Sequence, residues 1–417
     1  MAQRSEGANL VYRYMAVALM AGALFCVAPA KAQQAAQGQD AEAQPRQKIT
    51  IGYLRRAENR PALSRLQTPA ANDGMAGAQI GVDDDAVTGE FLNQDFELVA
   101  KKLKPGEDAA SGFAELAGKG IKFIVADLPA EVLVEVADSP LAARTLIFNI
   151  GASDDILREE KCRGNVVHVA PTRSMLADGL AQYLIWKQWR KWFLVLGSHP
   201  EDRLWAEALK HSATRFGAKI VEERVYEDRG GARRSDSGVT MVQKEMPAFT
   251  QGVSAYDVLV AADESAVFAD YLPYRTWDPR PVAGSAGLVP ASWDPSNEQW
   301  GATQLQQRFE KKFQRFMTPL DMNGWTAARM IGEAAAHDAA ADAFTMKAFL
   351  LSKDFTLAAF KGQKLTLRDW NLQLRQPILL SDGRNVVSLS PQEGFMHQFS
   401  ELDTLGTDRP ETKCRLN

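Results

Sequence analysis

The sequence predicts an α/β fold built from two successive open, mostly parallel sheets, each flanked by helices. Three observations carry this. Short β-branched runs alternate with segments of helical spacing, at intervals that suit βαβ units. The alternation starts at Lys48 and restarts near Met175. The chain, at 417 residues with 46% hydrophobic and 24% charged residues, is long and apolar enough for two buried cores.

The first 32 residues read as a targeting segment. Arg4 and Arg13 form a positive region, 15–27 is an apolar run, and Ala30-Lys31-Ala32 is a small-x-small cleavage site before Gln33. Export to the periplasm follows. Bulky Phe25 stands before Cys26, where a lipid-attachment signal wants a small residue. Residues 33–47, rich in Ala and Gln, can bury nothing and read as a disordered spacer. The formal net charge is -4 and no basic run is present, so nucleic acid is not an expected partner.

The first round of elements is a strand at 48–54, a helix from Gly74 to Asp85, a strand FELVAKKL, a helix from Glu107 to Lys119, a strand IKFIVADL, a helix from Val132 to Ala142 and a strand TLIFNIGA. The second round is a helix from Met175 to Trp189, a strand KWFLVLGS, a helix from Pro200 to Phe216, a strand AKIVEERVYE, a helix from Val242 to Phe249 and a strand YDVLVAAD. Beyond it, PVAGSAGLVPASWDP reads as one strand and its loop, Gln304 to Phe316 as an amphipathic helix, and Gly324 to Phe344 as a long Ala-rich helix. Asp382-Gly383 between two β-rich runs marks a hairpin.

No H-E-x-x-H, C-x-x-C or G-x-S-x-G is present, and the five histidines are scattered. Neither an enzyme nor a cofactor is indicated. The polar residues instead gather at strand ends, where ligands bind in open α/β sheets. Asp127 follows IKFIVA, Ser153 and Asp154 follow TLIFNIGA, Ser198 follows KWFLVLG, and Asp263 and Glu264 follow YDVLVAA. Each has a competing role as the N-cap of a following helix. Asp83-Asp84-Asp85, on a helix, reads as a solvated end. The tryptophans of TWDP (276–279) and SWDP (292–295) either wall a cleft or make rigid turns. Cys162 and Cys414 outlast the leader; in an oxidising compartment they are expected to pair, the alternative being two buried thiols.

The layout GASDDILREEKCRGNVVHVAPTRSMLADGLAQYL, followed by WFLVLGSHPEDRLWAEALKHSATRFGAKIVEERVY and the Gly324-Trp325-Thr326-Ala327-Ala328 helix, resembles the type I periplasmic solute-binding proteins of ABC transporters, in particular the leucine/isoleucine/valine branch. The resemblance covers nearly all of 48–395. More narrowly, LRDWNLQLRQPILLS and the cysteine-bearing tail are similar to the member of that branch associated with PQQ-dependent alcohol oxidation.

The resemblance implies a two-lobed periplasmic binding protein-like I fold with a hinge and no catalysis. Lobe I would comprise 48–171 with 282–362, and lobe II 172–281 with 364–417. A small-molecule solute would be closed between them and passed, by a monomer, to an inner-membrane ABC permease and ATPase. The alternatives are a sensor without transport or a receptor for a metal such as a lanthanide. The resemblance also implies that Ser153 holds a ligand carboxylate and that Asp263 or Glu264 meets a ligand ammonium. Asp127, Asp154 and Asp155 depart from the amino-acid-binding pattern, because carboxylates beside the site repel an anionic group unless they are neutralised.

Overall fold

The protein is described here by a computed structural model covering residues 46–56, 68–228 and 242–416. The expected leader and residues 33–45 of the spacer lie outside the described residues. Residues 46–168 form β1 (Gln47–Arg56), α1 (Met75–Leu92), β2 (Gln94–Leu103), α2 (Ala109–Gly118), β3 (Phe123–Asp127), α3 (Ala130–Ala137), β4 (Leu146–Asn149) and β5 (Val166–His168). All five strands run parallel in the order β2-β1-β3-β4-β5. β3 and β4 are buried along almost their whole length, as a sheet covered on both faces requires. One face packs on α2 and α3 through Phe113, Leu116, Leu133 and Val136.

The rhythm then repeats with α4 (Arg173–Trp186), β6 (Lys191–Gly197), α5 (Pro200–Phe216), β7 (Lys219–Tyr226), α6 (Val242–Phe249), β8 (Val258–Ala262), α7 (Leu272–Arg275), β9 (Val282–Gly284) and β10 (Val289–Ala291). Four of these strands form a second parallel sheet, β7-β6-β8-β9. Val282 was the expected start of a return to the first lobe, but β9 pairs with β8 and stays with the second sheet. The return comes after β10, where Trp293 enters the core of the first sheet.

The last part supplies α8 (Ala302–Phe313), α9 (Pro319–Ala336), α10 (Ala343–Leu350), β11 (Leu357–Ala358), β12 (Lys364–Leu367), β13 (Leu374–Arg375), β14 (Ile378–Ser381) and β15 (Val386–Ser390). Leu365, Leu367 and Leu374 pack into the first core, whereas Ile378 and Leu380 pack into the second. The third crossing therefore lies between β13 and β14 rather than at 362–364. The Asp382-Gly383 hairpin forms as expected, β14 pairing antiparallel with β15. Asp382 shapes its turn by accepting from the amides of Arg384 and Asn385.

The Ala-rich helix differs from expectation at both ends. Thr318 and Asp321 form a reciprocal cap that starts α9 at Pro319, and a second cap at Asp342 starts α10 separately. α9 lies directly on α1. A Cβ on Gly77 would sit 1.7 Å from the Asp321 carbonyl oxygen, so glycine there is a condition of the contact. The same contact overturns the reading of Asp83-Asp84-Asp85 as a solvated end. Asp83 pairs with Lys312, Asp84 with Arg308 and the Trp325 indole, and buried Asp85 with Arg329.

Cys162 and Cys414 form a disulfide with Cα atoms 5.7 Å apart. It fastens the C-terminal segment beside β5, where Lys413 also reaches Glu160. The bridge spans 252 residues, and closing so long a loop in the unfolded chain is worth on the order of 5 kcal/mol in the chain-entropy picture. Cys162→Ser with Cys414→Ser is expected to lower the melting temperature and to raise amide exchange over 406–416. Identical melting of oxidised wild type and the double variant would exclude a stabilising role.

Candidate functional site

The turn after β4 is shaped by one buried side chain. Asn149 Oδ1 accepts from the amides of Gly151 and Ala152, at 3.3 and 2.9 Å, while its Nδ2 donates to the Ala152 carbonyl at 2.8 Å. α9 braces the turn through Asn323 Nδ2, 3.0 Å from the Ile150 carbonyl. Gly151 is required by close approach, since a Cβ would stand 2.3 Å from Asp127 Oδ1. Asp127 therefore lies against the turn. Its other oxygen is 3.0 Å from Arg55 Nε, in register on the neighbouring strand.

Arg158, 1% exposed, holds the turn from beneath. Its guanidinium donates to the carbonyls of Ala152 (2.9 Å), Asp154 (3.1 Å) and Ala170 (2.7 Å) and to Gln373 Oε1 (2.8 Å). Burial lowers its pKa to about 10, while the fields of Asp155 and Asp154 act the other way. The group is still a cation at neutral pH. These partners come from the turn, from the crossing before α4 and from β12–β13.

Half-buried Ser153 sits at the mouth of this turn, its carbonyl accepting from the Arg173 amide at 2.9 Å. Asp155 accepts from the Ser174 amide at the start of α4, a favourable place for a carboxylate. Asp154 pairs with Arg173 Nη1 at 3.0 Å. The same arginine reaches the second sheet, where its Nε and Nη2 meet Glu264 at 2.9 and 2.8 Å. Burial opposes the charge on Arg173, but Glu264 and Asp154 outweigh it and raise its pKa above the ordinary value. Asp154, Arg173 and Glu264 thus form one ion bridge between the two sheets.

The remaining expected residues divide. Asp263, 4% exposed, is turned inward: Oδ1 accepts from the Val267 amide at 2.8 Å, and Oδ2 from the amides of Phe268 (2.7 Å) and Ala269 (2.6 Å). It caps a turn, which is the competing role for a strand-end acid, and is not placed to meet a ligand ammonium. Ser198 Oγ accepts from the Asp228 amide at 3.1 Å, beside a His199–Asp228 pair at 2.9 Å. The hydrogen bond to Asp228 raises the His199 pKa. Trp293 is core, and Asp294 closes a turn onto the Ser296 amide, so SWDP acts as packing and turn. Trp277 is half exposed.

The structure brings Asp127, Ser153, Asp154 and Glu264 together, and it adds Arg55, Arg158 and Arg173. Sequence patterning missed the arginines because their partners lie on other elements, Arg55 against Asp127, Arg158 against Gln373 and Arg173 against Glu264. Among the described residues, no three His, Cys, Asp or Glu side chains converge as a metal site requires. Among the same residues, no helix is long and apolar enough to cross a membrane.

No protein-family model and no curated protein sequence matches the chain. Solved structures do. A branched-chain amino acid ABC transporter periplasmic ligand-binding protein from Burkholderia xenovorans superposes with a TM-score of 0.64 at 17% identity, covering 82% of this chain and 95% of that one. A branched-chain amino acid transporter substrate-binding protein from Streptococcus pneumoniae, in complex with isoleucine, gives 0.60 at 14% identity, over 82% and 99% of the two chains. A solute-binding protein of an ABC transporter from R. palustris, in complex with benzoate, gives 0.59 at 12%, over 88% and 100%. Two parallel sheets flanked by helices, joined by three crossings and matched over nearly the full length of these proteins, give this chain the two-lobed fold of the type I periplasmic binding proteins.

Proposed function

We propose that the chain is the periplasmic solute-binding component of an ABC transporter, which captures a small solute between its lobes and delivers it to an inner-membrane permease. One observation supports this most directly: polar strand ends from both sheets meet at the Asp154–Arg173–Glu264 bridge, where a solute closed between lobes would lie. The lobes take the three crossings as their hinge, near 169–172, 291–293 and 375–378. A role beside PQQ-dependent alcohol oxidation rests on the LRDWNLQLRQPILLS segment and the cysteine-bearing tail alone.

The test is a thermal-shift screen of the mature protein against amino acids, short-chain alcohols and acids, quinone cofactor and lanthanide or calcium salts. A saturable rise in melting temperature with one class is expected. Ser153→Ala should cut that rise while changing the unliganded stability by only about 0.5 kcal/mol, as a partly exposed substitution does. A larger unliganded loss would make Ser153 a structural cap, and no saturable rise with any compound would sink the receptor reading.

A further inference from the structure

Each of these strand-end carboxylates already has a partner within the chain. Asp127 is held by Arg55, Asp263 by backbone amides of 267–269, and Asp154 and Glu264 by one guanidinium shared between them. That guanidinium belongs to Arg173, the first residue of α4, directly after the first crossing. Its main chain is fixed on both sides. The Arg173 amide donates to the Ser153 carbonyl, and Thr172 Oγ1 caps the helix by accepting from the Met175 amide at 3.0 Å. The side chain is 12% exposed, so little of the charge reaches water.

A solute ammonium or guanidinium seeking Asp154 and Glu264 would have to displace a cation that is covalently tethered beside them. Tethering gives Arg173 a high effective concentration that a free solute at micromolar levels does not match. Displacement would also leave the arginine partly desolvated without its two carboxylates, which costs free energy. Neither penalty applies to a solute that carries no cationic group.

We infer that Arg173 is a specificity-determining residue that occupies the cation position of the cleft, so that the solute is neutral or anionic and bears no ammonium. The inference rests on the receptor reading above for the solute, but not for the arginine's occupancy of the two carboxylates. Arg173→Ala leaves a guanidinium-sized gap between Asp154 and Glu264. The variant therefore acquires a site for free cations that wild type lacks.

The experiment measures melting temperature for wild type and Arg173→Ala against methylguanidinium, leucine, arginine, benzoate, short-chain fatty acids and short-chain alcohols. Methylguanidinium is expected to raise the melting temperature of Arg173→Ala saturably and to leave wild type unchanged, with an apparent affinity at least roughly tenfold higher for the variant. Wild type is expected to respond only to acids or alcohols. Saturable binding of leucine or arginine to wild type would overturn the inference, and this arm needs no variant to fold. A folded Arg173→Ala that gains nothing from methylguanidinium would also overturn it. Rescue of the variant with no response of wild type to any acid, alcohol or amino acid would uphold the occupancy while removing the receptor reading.

Discussion

Arg158→Met is expected to lower the free energy of unfolding by about 2–3 kcal/mol, the largest loss of any single substitution considered. Methionine matches the length of the side chain but donates no hydrogen bond. Its introduction leaves the carbonyls of Ala152, Asp154 and Ala170 and the Gln373 Oε1 without the donor they share. Ala152, Asp154 and Ala170 keep second donors in Asn149 Nδ2, the Leu157 amide and Gln373 Nε2, so the largest loss falls on Gln373 Oε1. Each of the four lost bonds to a charged donor contributes about 1 kcal/mol, and the total is partly offset because the desolvated charge is gone as well. Arg158→Lys keeps the charge but presents a single point from which four acceptors on three segments cannot be met, so it should restore only a minor part. Urea denaturation reads this directly: the midpoint should fall with the slope unchanged. A midpoint within experimental error of wild type would show that the turn and the crossings hold without the guanidinium. Because the same group supports the turn that carries Ser153, any solute-induced stabilisation should vanish with it.

The parallel sheets were legible because their strands are continuous apolar runs, and a run such as FIVA or VLVAA is uniformly buried where it was expected to be. The hairpin was legible because Asp-Gly between β-rich runs has one common use. The strand-end acids were legible as a set but not in their roles. Asp263 and Glu264 are adjacent, yet one faces the backbone and the other an arginine, a distinction set by how the chain turns after β8. Arg158 and Arg173 were not legible as functional. Arg158 lies in a highly charged segment and Arg173 reads as an ordinary first residue of a helix; what makes them different is contact with Gln373 and Glu264, 215 and 91 residues away. The boundary at Val282 failed for a related reason, since a three-residue strand carries no signal of which sheet it will join.

Lys361→Met is expected to do the opposite of Arg158→Met and to stabilise the protein near neutral pH. Lys361 is 1% exposed and its amine donates to Gln376 Oε1 at 2.6 Å, and among the described residues no carboxylate pairs with it. Burial lowers its pKa from 10.5 to about 7. In the unfolded chain the amine is charged at every pH below 10.5, whereas in the folded chain it charges only below about 7. The unfolded state therefore binds more protons between these values, and stability contributed by the neutral amine is lost as pH falls from 10.5 to 7. Below pH 7 the full cost is present, on the order of 5 kcal/mol for a shift of this size. Methionine removes that cost and forfeits the bond to Gln376, about 1–2 kcal/mol. The balance at pH 7 is a gain of about 3–4 kcal/mol, shrinking to a small loss near pH 10. Gln376 also donates to the Val169 carbonyl at 2.6 Å, so the amine stands one residue away from two of the three crossings. Denaturation midpoints measured across pH 6–10 check the whole argument. Wild type should grow more stable with rising pH relative to the variant, and parallel curves would mean that Lys361 does not lose its proton on folding. With Lys361 neutral, the buried positive charge that touches the first crossing comes from the Arg158 guanidinium, through the Ala170 carbonyl.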